Sequence, residues 1–252
     1  MRWRWLAFGL GAYAAALVVL VPATLIDVQL QRASHGRLRL AEAHGSLWSG
    51  AGWIEIRDAE GKAGVAKRLA WRVLPVSLLR ARLVAEVGLD QAAKPFPVSI
   101  SLSRMEIADA GIRVPAAVLG LGLPRLAPLR LSGEVLISVP RLSVERGRVD
   151  GEATLQWRAA GSALSPISPL GEFEVQIKAV GPAVHAALST LNGPLQLEGK
   201  GTWSNGARPS FLVAARVPAQ HQEQLAPLFR LIAVERGAGS FELSSSKTAF
   251  GP

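Results

Sequence analysis

LRLSGEVLISVPRLSV (129–144), RVDGEATLQWRA (148–159) and LGEFEVQIKAV (170–180) decide how this chain is read. In each, apolar and polar residues alternate, which predicts a β-strand with one dry face and one wet face. Working outward, the same period of two recurs in HGSLWSGAGWIEIRD (44–58), VAKRLAWRVLP (65–75), ARLVAEVGLD (81–90) and FPVSISLSRMEI (96–107). It continues in AVHAALSTLNGPLQLEGKGTW (183–203) and RPSFLVAARV (208–217). Gly, Pro and Asn-Gly punctuate these runs. A glycine precedes the alternation in SGEVLIS (132–138), DGEATLQW (150–157), LGEFEVQI (170–177) and NGPLQLEG (192–199). This loose repeat predicts a turn at each glycine and a strand after it. Long crossover helices for a parallel sheet are absent, so the class is mainly β and the sheet antiparallel.

Two segments depart from the pattern. Val114 to Pro124 is predicted as a turn of helix or a loop packed under the sheet. Gln220 to Val234 places Leu225, Leu228, Phe229 and Ile232 on one helical face. Pro227 fits the first turn of that helix. The helix either caps the sheet or presents its face to a partner.

The N-terminus is different. Residues Trp5 to Ile26 are uncharged, and Trp5, Leu10, Leu17, Leu20 and Ile26 mark the apolar content of the stretch. At about 1.5 Å per residue it spans about 33 Å, close to the hydrocarbon thickness of a bilayer. It is apolar all round, unlike a helix on a protein surface. Trp3 and Trp5 suit the membrane interface, and Pro22 lies near the far end, where a kink costs little. The reading is a transmembrane anchor at 5–26, after a cytoplasmic tail at 1–4. A linker and first strand follow at 27–40, then a β-rich exported domain at 41–252. A cleaved signal peptide, cut near Val21-Pro22-Ala23, is the alternative. Arg2 and Arg4 before the stretch are nearly balanced by Arg32, Arg37 and Arg39 after it. The short tail favours a cytoplasmic N-terminus.

The chain has 28 Lys and Arg against 19 Asp and Glu, a net charge of +9. Its arginines are spread along the strands rather than concentrated with aromatics, which argues against nucleic acid. A solvated strand face accounts for them. Contact with anionic lipid heads beside the anchor is the alternative. There is no cysteine, which suits an oxidising compartment without demanding one.

No motif for chemistry emerges. His35, His44, His185 and His221 stand at no metal-ligand spacing. There is no Gly-x-Ser-x-Gly elbow, phosphate loop or dinucleotide fingerprint. Ser46 and Ser49 lie near His44 without an orienting third group. Glu55 with Asp58, and Glu172 with Glu174, read as solvated carboxylates. The chain is therefore read as non-enzymatic, with no cofactor and no metal.

The segment HGSLWSGAG (44–52), about 20 residues after a short apolar anchor, resembles protein N of the bacterial type II secretion system. LAWRVLPVSLLRARLVAEV (69–87), PLRLSGEVLISVPRL (128–142), GEATLQWRAAGSALSPISPLGEFEVQI (151–177) and LNGPLQLEGKGTW (191–203) are similar to later segments of that family, in order. LAPLFRLI (225–232) and GAGSFELSS (237–245) complete the resemblance. It implies a single-pass protein of the bacterial inner membrane with a periplasmic β domain. Its implied role is accessory, in the machine that exports folded proteins from the periplasm across the outer membrane. The implied partners are other secretion components, the secretin or the inner-membrane platform. The family is related in pattern to AsmA-like proteins, which implies a curved, elongated sheet and makes an apolar, lipid-handling groove the alternative function. Within Gly45, Ser46, Leu47, Trp48, Ser49 and Gly50, the two glycines suit a tight hairpin or the close approach of another strand. Trp48 is read as a core anchor or a partner-facing aromatic.

Overall fold

The computed structural model describes residues 20–57, 63–90, 94–122, 124–204, 210–218, 234–237 and 240–244, with single positions at Trp3, Gly9, Gln220 and Leu225. The chain forms two compact units, residues 1–102 and 103–252. Both are mainly antiparallel β-sheet, as the alternation predicts.

The first unit begins with helix α1 (Thr24–Ala33) and continues with strands β1 (Leu38–Gly45), β2 (Ser49–Arg57), β3 (Ala63–Leu74), β4 (Arg82–Leu89) and β5 (Phe96–Ser101). Each strand pairs antiparallel with the next in sequence. A 3₁₀ segment, Pro75–Arg80, joins β3 to β4. Helix α1 covers one face of this meander. Ile26 and Leu30, one turn apart on α1, pack with buried Ala23, Leu40, Trp71, Val73 and Ala85. Asp27 ties the helix to the sheet. Its Oδ1 accepts the Leu40 amide at 2.7 Å and its Oδ2 accepts the Gln31 side-chain amide at 2.8 Å. Gly36, with φ +80°, ends the helix by returning its N–H to the Gln31 carbonyl at 2.8 Å.

This helix bears on two expectations. Within 27–40, expected as linker and first strand, α1 runs on to Ala33 and β1 begins at Leu38. The last residues of the stretch expected to cross the membrane are bonded and packed in part against the first unit. Ile26 lies on α1, and Pro22, expected as a kink, forms a β-bridge with Ser46. Trp5, Leu10 and Leu17 lie outside the described residues, and Leu20 is 74% exposed. Among the described residues no helix is long and apolar enough to cross a membrane.

The second unit contains β6 (Arg104–Pro115), helix α2 (Ala117–Gly122), a 3₁₀ turn (Pro124–Leu129), β7 (Leu131–Glu145), β8 (Arg148–Ser162), β9 (Gly171–Val180), β10 (Ala183–Asn192), β11 (Gln196–Ser204), β12 (Ser210–Arg216), β13 (Val234–Gly237) and β14 (Ser240–Ser244). Strands β6 to β12 pair in sequence order, and β14 lies between β12 and β13. Helix α2 falls in the segment 114–124 expected to break the β pattern. The runs 44–58, 96–107 and 183–203 each hold two strands and a turn rather than one continuous strand.

The glycine repeat marks turns in part: Gly193 lies in the β10–β11 turn and Gly171 opens β9. The β7–β8 hairpin closes at Arg146-Gly147, both at positive φ, as a two-residue turn requires. Gly133 and Gly151 instead lie inside β7 and β8. Gly133 has φ +99°, and a Cβ there would sit 2.5 Å from the carbonyl oxygens of Arg158 and Ala159. The β7–β8 register shifts across this point, the β8–β9 register shifts between Trp157 and Ala160, and the β9–β10 register shifts after Thr190. At the last of these, Gly171 and Gly193 approach so closely that neither has room for a side chain. These bulges stand side by side on neighbouring strands and increase the local twist. Beside them lies the core of this unit: Leu129, Ala160, Leu170, Phe173, Leu195, Ala215, Val217 and Leu225. Trp157 packs against it, with its ring 5.8 Å from that of Phe173 and its Nε1 donating to the Ser132 carbonyl at 2.9 Å.

Gly133 and Gly147 share a positive φ but differ in space, because a Cβ at Gly147 meets nothing within 4 Å. Gly147→Ala should therefore cost about 1–2 kcal/mol, the left-handed backbone term alone. Gly133→Ala should cost clearly more, read as a lower midpoint in urea titrations of the detergent-solubilised chain. Equal midpoints for the two variants would remove the steric role of Gly133.

Candidate functional site

The GSLWSG segment is a junction of three chain segments in the first unit. Ser46 begins the β1–β2 turn, its N–H donating to the Ser49 carbonyl at 2.9 Å. Its Oγ accepts the backbone N–H groups of Trp48 and Ser49, both at 3.3 Å. The Leu47 N–H donates to the Val21 carbonyl at 2.8 Å, and the Ala23 N–H to the Gly45 carbonyl at 3.3 Å. Residues 21–23 thus run against the turn like a short extra strand, with Ala23 only 1% exposed. From the other side, the Val73 N–H of β3 donates to the Trp48 carbonyl at 2.6 Å. The Trp71 indole Nε1–H is shared between the carbonyls of Ser46 and Leu47, each at 3.2 Å.

The two flanking glycines have separate causes. Gly45 has φ +94°, and a Cβ there would strike the Ser49 carbonyl. Gly50 lies under the Trp71 ring, and a Cβ would strike ring carbons of Trp71 and the His44 carbonyl. Trp48 is half-buried and packs against the same core as Trp71. The motif therefore joins the end of the uncharged N-terminal stretch to the sheet.

The other residues considered for chemistry are occupied structurally. His44 is exposed, with Nδ1 3.0 Å from the Glu42 carbonyl. His35 and His185 are exposed and well separated along the chain, and His221 lies outside the described residues. Glu55 pairs with Arg57 at 3.0 Å, and Asp58 lies outside the described residues. Among the described residues no three His, Cys, Asp or Glu side chains gather as metal ligands would. Glu174 accepts from the Gln176 and Gln156 side-chain amides at 2.7 and 2.8 Å. These bonds, Gln176 first, hold its carboxyl below the usual carboxylate range. Several arginines lie in exposed ion pairs, Arg104 with Glu106 and Arg113 with Glu134 among them. Such pairs add little stability and keep the strand face wet.

The second unit carries a different feature. Ile112, Ile137, Leu155, Val175, Leu188 and Gly199 stand opposite one another across β6 to β11. Ala153, Ile177, Ala186 and Gly201 form the next row on the same face. The reverse face carries Gln156 with Glu174, and Glu152 with Lys178. One end of the apolar face is covered by the core around Leu129, Leu170 and Leu195, whereas Ile112, Ile137, Leu155, Val175 and Ile177 are only half-buried. Leu225, considered for a partner-facing helix, is 0% exposed and belongs to that core. Leu228, Phe229 and Ile232 lie outside the described residues.

Sequence reading missed α1, although signals were present: Ile26 and Leu30 at helical spacing, Asp27 in the first turn and the Ser34-His35-Gly36 stop. It also missed Trp71 as the partner of the motif, since 21 residues separate it from Gly50 and only pairing of β2 with β3 brings Gly50 opposite it.

The first unit is an antiparallel meander tied to the end of the uncharged N-terminal stretch, and the second is an antiparallel sheet with one apolar and one charged face; both belong to a β-rich class of protein. The chain belongs to the type II secretion system protein N family, whose model matches residues 36–244, from the turn before β1 to the end of β14. This makes it a component of the bacterial type II secretion machinery. No curated protein and no solved structure matches it.

Trp71→Ala should destabilise the chain by about 3–5 kcal/mol, and Gly50→Ala by a comparable loss of midpoint. The double variant should lose less than the sum, because removing the ring removes one of the two collisions at Gly50. Strict additivity in urea titrations would show that ring and glycine are uncoupled. NMR titration of Glu174 should give a midpoint below that of an unfolded-chain glutamate, raised by Gln176→Ala and less by Gln156→Ala. Because the folded value is depressed, the associated stability is present above the unfolded value. It is lost as pH falls through the folded one.

Proposed function

We propose that this protein is a non-enzymatic accessory or assembly component of the secretion machine, held at the inner membrane by its N-terminal stretch with the β domain in the periplasm. The observation that carries this reading is the family match spanning both sheet units, together with the junction that ties residues 21–23 into the first unit. Ala23 and Ile26 pack into the first unit, which supports an anchor formed by residues before Val21. Residues 5–20 would span about 24 Å as a helix, a short span met by local bilayer thinning and by snorkelling of Arg2 and Arg4. Retention of the stretch is supported by the same bonds, since cleavage near Ala23 would remove the strand paired with Ser46 and Leu47. The secretin or the inner-membrane platform are the proposed partners, met through a sheet edge or an exposed face.

A second reading, handling of a lipid or another apolar ligand, is favoured by the half-buried rows through Leu155 and Val175. It predicts co-purified lipid in native mass spectra of the chain, and lipid-free spectra would count against it.

Deleting the gene should leave exoproteins in the periplasm, measured by fractionation and immunoblotting. In-cell crosslinking from the β domain should capture a secretin or platform subunit. Unimpaired secretion together with no such crosslink would overturn the assembly reading. Intact-mass analysis of the membrane-extracted chain should show residues 1–23 retained.

A further inference from the structure

We infer that the Pro75–Arg80 segment is a second, monotopic membrane contact, seated in the headgroup region of an anionic phospholipid bilayer beside the N-terminal stretch. The inference rests on the anchored reading above and adds a site to it.

The placement follows from strand direction. Strand β3 runs toward the GSLWSG junction, where Val73 bonds to Trp48 and Leu47 bonds to Val21. The connection that follows therefore leaves the sheet at the end where the uncharged stretch enters. This connection presents apolar side chains to solvent. Val76 is 77% exposed, and Leu74 and Leu78 are each 42% exposed. Leu20 and Leu25, on the entering segment and the first turn of α1, are 74% and 49% exposed. Thus exposed apolar residues from two chain segments gather at one end of the first unit.

The loop is held in this form. The Ser77 hydroxyl donates to the Leu74 carbonyl at 2.6 Å and accepts the Val84 N–H at 3.0 Å. Ala81, at φ +52°, closes the turn with its N–H on the Leu78 carbonyl at 2.9 Å. A braced turn that directs Val and Leu outward gains nothing from water, because burying such side chains is favourable. Arg72, Arg80 and Arg82 surround it, all exposed, and none forms an ion pair with a described residue. Apolar side chains ringed by arginine match an interface of acyl chains and phosphates. A membrane is the occupant because the uncharged stretch ends at this same place.

The test uses the absence of native cysteine. The full chain is reconstituted in phosphatidylethanolamine–phosphatidylglycerol bilayers, with a spin label at Val76→Cys, Leu10→Cys or Lys94→Cys. Lys94 is exposed on the β4–β5 connection, at the opposite end of the strands. Power saturation then compares oxygen with a water-soluble nickel chelate. The expected result is a severalfold higher oxygen-to-nickel ratio at Val76 than at Lys94, approaching that at Leu10. Combined Arg72→Ser, Arg80→Ser and Arg82→Ser should lower the Val76 ratio. Replacing phosphatidylglycerol by phosphatidylcholine should do the same. A Val76 label as wet as Lys94, with Leu10 in the bilayer, would overturn the contact and leave the anchor standing. Val76 shielded from both reagents would mean a protein occupant and would also overturn it. A Leu10 label in water would remove the anchor, and this inference with it.

Discussion

The indole of Trp71 lies across Gly50 and shares its one N–H between the carbonyls of Ser46 and Leu47. This contact holds the first unit together at its N-terminal end. It needs a glycine below the ring, a tight turn beside it and pairing of β2 with β3 to bring the two residues opposite each other. Once the turn is held, the Leu47 N–H is aimed at Val21 and the Trp48 carbonyl at Val73. The entering chain and the outgoing strand are then both secured. Helix α1 follows directly on residues 21–23 and is held to the sheet by Asp27, Ile26 and Leu30.

The second unit solves a different problem. Its strands are long, and a flat antiparallel sheet with one apolar face would leave that face open. The register shifts at Gly133, at Arg158-Ala159 and after Thr190 fall in the successive strand pairs β7–β8, β8–β9 and β9–β10. Between them and the loops carrying Leu129, Leu170 and Leu195, one end of the face becomes a closed core. The rest, through Leu155 and Val175, stays half-buried. Stability and an available apolar surface are thus divided along the same strands rather than between separate layers. Charged pairs on the reverse face keep that face wet.

Much of this was legible in the chain. Alternation marked the strands, the lack of crossover helices gave their antiparallel order, and the ordered segments from GSLWSG to GAGSFELSS pointed to the family that the match over residues 36–244 bears out. Alternation can be read because it depends only on neighbours two positions apart. Less legible was what each glycine does. Gly133 and Gly147 look equivalent in sequence, and both adopt positive φ, yet one lies in a bulge against Ala159 and the other in an open hairpin. The difference depends on which strand lies alongside.

The end of the uncharged stretch shows the same division. Apolarity alone carried it through to Ile26, because hydropathy does not distinguish a side chain bound for lipid from one bound for a protein core. The tertiary structure assigns Ala23, Ile26 and Leu30 to the core with Leu40 and Trp71. The sequence by itself determined the sheet class, the charged and apolar faces and the family. Only tertiary structure decided that Ala23 and Ile26 join the core of the first unit, that GSLWSG is a junction, and which exposed apolar residues share its end of the sheet. The physical reason is that local periodicity sets which face a residue takes, whereas long-range strand pairing sets what that face meets.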